Sequence, residues 1–120
     1  MRIVKMTEGE PFDMGAGDTR RVIGTHTGAK HLTFNYAKFP PGVAFKQHIH
    51  AHSEDLIVVL EGDGVIRLDD DEFPIEAGDV IHVSEGEYHG TVAGPQGMTC
   101  VSVQAPIDRA LYEGGTQPGE

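Results

Sequence analysis

His48, His50 and His89 are the residues whose type and spacing could do chemistry. The chain from Gly42 to Asp55 runs GVAFKQHIHAHSED, and Gly62 follows. In a strand, residues i and i+2 point to the same face, so His48 and His50 present two imidazoles side by side. Such a pair can chelate one divalent metal, a nearby carboxylate can supply an oxygen ligand, and His89 could complete the set. Neutral imidazole with carboxylate suits iron, manganese, nickel, copper or zinc, and the residue types do not choose among them.

The elements that must position these side chains are short strands. Pro40-Pro41-Gly42 is a firm break, and Pro41-Gly42 suits the centre of a type II turn. Strand-like runs fall at 22–26, 31–39, 44–50, 56–60, 65–68, 73–75, 80–83, 89–93 and 99–104, with Gly, Pro or Asp between them. Glu61-Gly62-Asp63-Gly64 reads as a hairpin and Asp69–Glu72 as a second tight turn. This spacing predicts an all-β barrel or sandwich with no helix of core-packing length. Residues 1–21 read as an N-terminal arm, 22–105 as the barrel and 106–120 as a tail. Within the tail, Ile107–Tyr112 is expected to form one helical turn or to cover a barrel end, and Gly114–Gly119 to be mobile, with the tail read as a lid over the site or as a plain frayed terminus. Leu56–Leu60 is apolar at every position, so no alternation there assigns its faces.

A second segment, Gly78–His89, reads GDVIHVSEGEYH. Together the two segments resemble the paired motifs of the cupin superfamily. The first family motif is Gly, five residues, His-x-His, three or four residues, Glu, six residues, Gly. Gly42, His48, His50 and Gly62 fit it. The second is Gly, five residues, Pro-x-Gly, two residues, His, three residues, Asn. Gly78, Gly86 and His89 fit, whereas Ser84 stands in place of Pro and Ala93 in place of Asn. Counting back from Gly62 puts Asp55 at the carboxylate position. Counting three residues forward from His50 puts Glu54 there instead, in the less usual register. The resemblance spans Leu32 to Gln104. It implies a single-domain double-stranded β-helix, the cupin or jelly-roll barrel, with one divalent metal ion on His48, His50, Asp55 (or Glu54) and His89 inside one mouth. It also implies a homodimer formed by pairing or exchanging edge strands.

Such a chain would be a small metal-dependent enzyme acting on an oxygenated organic acid or a carbohydrate-derived small molecule, of the dioxygenase, isomerase, decarboxylase or lyase class. The alternative is a non-catalytic small-molecule-binding or regulatory module. Tyr36, His82 and Glu54 are the candidates for proton transfer, by strand position only. His52 reads as a surface residue or as one supporting the ligands.

The composition narrows the partners. At 120 residues the chain is expected to be one domain with a single core. A net charge of −10 argues against nucleic acid and against an anionic membrane surface as partners. The single cysteine, Cys100, precludes an internal disulfide and a Cys-based zinc ribbon. The start of the chain lacks the apolar core of a signal peptide, and no apolar run approaches a membrane span, so a cytoplasmic protein is the expectation.

Overall fold

The computed structural model describes residues 1–12 and 17–108. Eight strands account for most of them: β1 (Glu10–Pro11), β2 (Asp18–Ile23), β3 (Thr33–Phe39), β4 (Ala44–His48), β5 (Glu54–Leu68), β6 (Asp71–Glu76), β7 (Val80–Val83) and β8 (His89–Ala105). All pairings are antiparallel. The described helical residues are two three-residue 3-10 turns, and no described helix is long and apolar enough to cross a membrane.

Two long strands organise the fold. The C-terminal half of β8 lies between β3 and the N-terminal half of β5, and β2, β1 and β7 extend that layer. The N-terminal half of β8 lies between β4 and the C-terminal half of β5, and β6 extends the second layer. β5 and β8 thus run through both layers and pair with each other along most of their length, forming a jelly roll. Phe39, Ile57, Val59, Ile66, Ile75, Val83, Ala93, Met98 and Cys100 fill the space between the layers.

The segment 61–64 corrects one sequence expectation. It does not reverse the chain; it is the bend at which β5 passes from one layer to the other. The β5–β8 register shifts twice there, between Val59 and Glu61 and between Gly62 and Gly64. Buried positions switch parity across it, from Asp55, Ile57 and Val59 to Ile66. Turn residues and bulge residues share the same chemistry, which is why the segment reads as a hairpin. Gly62 has φ 78°, and a Cβ there would collide with the Gly97 carbonyl oxygen on β8. Gly62→Ala therefore forces both a left-handed backbone on a side chain and a backbone clash. It is expected to cost about 2 kcal/mol or more, read as a lowered urea midpoint; an unchanged midpoint would contradict the close approach.

The strand expected over 22–26 also differs: β2 covers Asp18–Ile23, and Thr25–Thr27 is a 3-10 turn. The Pro41-Gly42 turn forms as expected, with the Val43 amide donating to the Pro40 carbonyl at 3.2 Å and Gly42 at φ 73°. Of the expected helical turn at 107–112, residues 109–112 lie outside the described residues, as does the stretch 114–119.

Candidate metal centre

The strand registers carry side chains to the site row by row. On the inner face of the main layer, Asp55 lies opposite Gln104 and Gln104 opposite Thr33; the next row is Ile57, Ser102 and Asn35; the next is Val59, Cys100 and Ala37. The wall therefore grades from polar at the end near the histidines to apolar at depth. From the second layer, β4 and β8 place His48 directly opposite His89. His50 lies just beyond β4, where its carbonyl accepts from the Gly86 amide at 2.9 Å. That bond ties the first motif to the turn of the second.

His48, His50 and His89 converge in the interior with exposures of 4%, 3% and 3%. One ring nitrogen from each lies within 4.8 Å of the others, a group that could hold a metal ion. The Nε2 atoms of His48 and His50 face each other at 2.8 Å. Asp55 Oδ2 lies 3.8 Å from His50 Nε2 and 3.6 Å from His89 Nε2. Metal–ligand bonds of ~2.1 Å at right or tetrahedral angles give donor separations of about 3.0–3.4 Å; the distances here, 2.8, 3.6 and 3.8 Å, lie on either side of that range, so small side-chain adjustments would bring these atoms onto one ion. A second observation concerns satisfaction: His89 Nε2, Asp55 Oδ1 and Gln104 Oε1 are buried with no hydrogen-bond partner. Buried polar atoms are costly to leave unpaired, and an ion would satisfy those of the ligand set. The residues present fit a divalent metal.

Two departures from the family motif have local explanations. Ser84, in place of Pro, donates its backbone amide to Glu87 Oε1 at 2.7 Å, a bond proline could not make. The Glu87 carbonyl in turn accepts from His89 Nδ1 at 3.0 Å, leaving Nε2 aimed inward. Ala93, in place of Asn, is 3% exposed and packs in the core.

The two acids separate cleanly. Asp55 is 7% exposed and faces the histidines. Glu54 is on the outer face, where its Oε1 accepts from His82 Nε2 at 2.8 Å with both side chains more than half exposed. His82 and Glu54 are thus surface partners, which corrects their reading as proton-transfer candidates. Tyr36 is corrected for the same reason. It is buried, but on the opposite face of the main layer, packed with Val22 and Val101 and bordered by Ile23, Phe34 and Val58. His52 is exposed.

A cavity of about 70 Å³ adjoins the histidines. Its titratable lining groups are the three histidines, Asp55 and Cys100; the polar remainder, Thr19, Asn35, Thr91, Ser102 and Gln104, is uncharged. Phe39, Phe45, Ala37 and Ile57 supply apolar walls. Burial, and secondarily the Asp55 charge, pushes the Cys100 thiol from 9.0 up to about 12. The folded chain thus holds a proton that the unfolded chain releases, so this group lowers stability progressively as pH rises from 9.0 to about 12. At pH 8 the thiolate population falls by roughly a thousandfold relative to an exposed cysteine. Iodoacetamide is expected to spare the native protein while labelling the urea-unfolded chain by at least that rate ratio; equal labelling would contradict this environment.

Sequence reasoning missed Gln104 and Asp108. Gln104 Nε2 lies 3.1 Å from His50 Nε2 and 3.3 Å from His50 Nδ1, over the imidazole. Asp108 Oδ2 lies 2.8 Å from His50 Nδ1. Neither belongs to a motif, and no spacing signal marks them.

Comparison with known proteins agrees with this architecture. Residues 35–103 match the Cupin domain family, and the chain belongs to that family. It is 33% identical over 77 residues to the dimethylsulfoniopropionate lyase DddW of Ruegeria pomeroyi, covering 64% of this chain and 50% of that protein. It is 36% identical over 60 residues to an oxalate-binding protein of Thermotoga maritima, covering 50% of each. The chain spans about half the length of the curated relatives it matches. The structure of the polyketide cyclase RemF from Streptomyces resistomycificus superposes with a TM-score of 0.73 and 29% identity, over 88% of this chain and 79% of that one.

Proposed function

We propose that this protein is a metal-dependent cupin enzyme acting on a small oxygenated organic acid. His48, His50 and His89 would bind one divalent ion through Nε2, and Asp55 would supply the carboxylate. The observation that carries this reading is the convergence of three buried imidazoles and one buried carboxylate beside a cavity with a polar wall. A divalent ion with neutral histidines and one carboxylate keeps a net positive charge, which favours an anionic ligand. When bound, the ion supplies Lewis-acid polarisation of a substrate oxygen, or redox chemistry if it is iron, manganese or copper.

The chain's own residues do the rest. Thr91 and Ser102 offer hydroxyls, and Asn35 and Gln104 offer amides, to orient a carboxylate or carbonyl. Phe39, Phe45 and Ile57 accept a short apolar portion and keep water out. The cavity volume suits a compact substrate of a few heavy atoms. A lyase and a polyketide cyclase are among the similar proteins, which supports the enzyme reading.

A second reading, a binding module, is favoured by one specific observation: outside the candidate ligands and the neutral Cys100 thiol, no described lining group is titratable. The similar oxalate-binding protein supports it. Both readings are tested together by elemental analysis of protein purified without a metal-chelating tag, followed by assays with small hydroxy-, keto- and dicarboxylates. Near-stoichiometric metal with turnover supports the enzyme, and metal with saturable binding but no product supports the module. A chain that takes up no metal after reconstitution with iron, manganese, nickel, copper and zinc overturns the proposal.

A further inference from the structure

His50 uses its two ring nitrogens in opposite directions. Nε2 faces the cluster, 2.8 Å from His48 Nε2 and 3.8 Å from Asp55 Oδ2. Nδ1 faces away, 2.8 Å from Asp108 Oδ2. The pair is shielded from solvent, the side chains being 3% and 11% exposed. Asp108 lies three residues past the end of β8, and the segment leading to it is held down where Ser53 Oγ donates to the Pro106 carbonyl at 2.6 Å.

We infer that Asp108 is a positioning residue for the metal centre: it accepts the Nδ1–H of His50, holds the imidazole in the tautomer whose Nε2 lone pair faces the ion, and couples the 106–108 strap to metal binding. This rests on the metal-centre reading above. A carboxylate acceptor does more than orient; it raises the basicity of the imidazole it holds and so strengthens the metal bond. The two oriented histidines differ in kind. His89 gives its Nδ1–H to a neutral backbone carbonyl, whereas His50 gives its own to a charged side chain. Because coupling is reciprocal, whatever factor Asp108 adds to metal affinity, bound metal adds to docking of the strap.

The test measures metal dissociation constants by chelator competition on the full chain, for the wild type, Asp108→Ala and Asp108→Asn, together with electron paramagnetic resonance spectra of the Cu(II)-loaded proteins. Asp108→Ala is expected to bind metal about 10–100-fold more weakly, with a changed copper hyperfine coupling. Asp108→Asn, which keeps an acceptor oxygen without the charge, is expected to recover part of the affinity. Should Asp108→Ala fail to fold, Asp108→Asn with a weaker constant and shifted spectrum carries the inference alone. Wild-type affinity and an unaltered spectrum in the folded variants overturn it while leaving the metal centre standing. Failure of the wild type itself to bind metal overturns the underlying reading instead.

Discussion

Replacing His48 by alanine is expected to strip the protein of its metal while leaving the barrel folded. The imidazole is one of three converging on a common point, and loss of one directly bonded ligand exceeds the 10–100-fold cost of losing a supporting contact. Metal content should therefore fall from near-stoichiometric to background after dialysis, and any turnover should fall with it. Folding should survive because His48 is not part of the apolar cluster between the layers. Its edge-on contact with Phe45, at a centroid distance of 4.8 Å, accounts for roughly 1 kcal/mol. Elemental analysis and circular dichroism on the same sample decide the matter. Retained stoichiometric metal would remove His48 from the ligand set, and activity in demonstrably metal-free protein would remove the metal from the mechanism.

The second large effect separates two adjacent acids. A metal bound only by the folded chain, at a free concentration of 100 times its dissociation constant, stabilises by about 2.7 kcal/mol. That corresponds to a rise of several degrees in Tm for a domain of this size. Asp55→Ala is expected to abolish this metal-dependent rise, because it removes the carboxylate that faces the Nε2 atoms of His50 and His89 from the interior. Glu54→Ala should keep the rise in full. It removes only an exposed pair with His82, of a kind worth about 0.2–1 kcal/mol at most, and that loss is the same with and without metal. Thermal scans of both variants, with and without the ion, give four numbers. A lost rise in Glu54→Ala with a retained one in Asp55→Ala would reverse the assignment of the carboxylate.

This contrast also shows where the sequence stops being legible. Leu56–Leu60 is apolar at both parities although only part of its outer face is covered: Leu56 and Leu60 are exposed there. Ile57 and Val59 enter the core, while Val58 borders a second cluster with Val22, Tyr36 and Val101 on the outside. Without alternation, nothing local says whether Asp55 or Glu54 turns inward; the pairing of Asp55 with Gln104 and Val83 decides it. Tyr36 and His82 fail as site residues for the same reason, since strand position gives a parity but not which face closes on the interior. Segment 61–64 is ambiguous in another way, because a turn and a bulge ask for the same residues and differ only in whether the flanking strands pair with each other or both with β8.

By itself, the sequence determined the all-β class and the three histidines, and its motif resemblance implied the jelly roll. Those signals are local: the spacing of turn residues, the two-residue repeat of His48 and His50, and the glycines at motif positions. The tertiary structure alone decided that Asp55, which the motif register favours, and not Glu54, faces them, as well as the graded wall from Gln104 to Cys100 and the bond from Asp108 to His50. Each of these depends on strand register or on chain closure between residues as far apart as 50 and 108, and a one-residue shift in either would send a different side chain to the site.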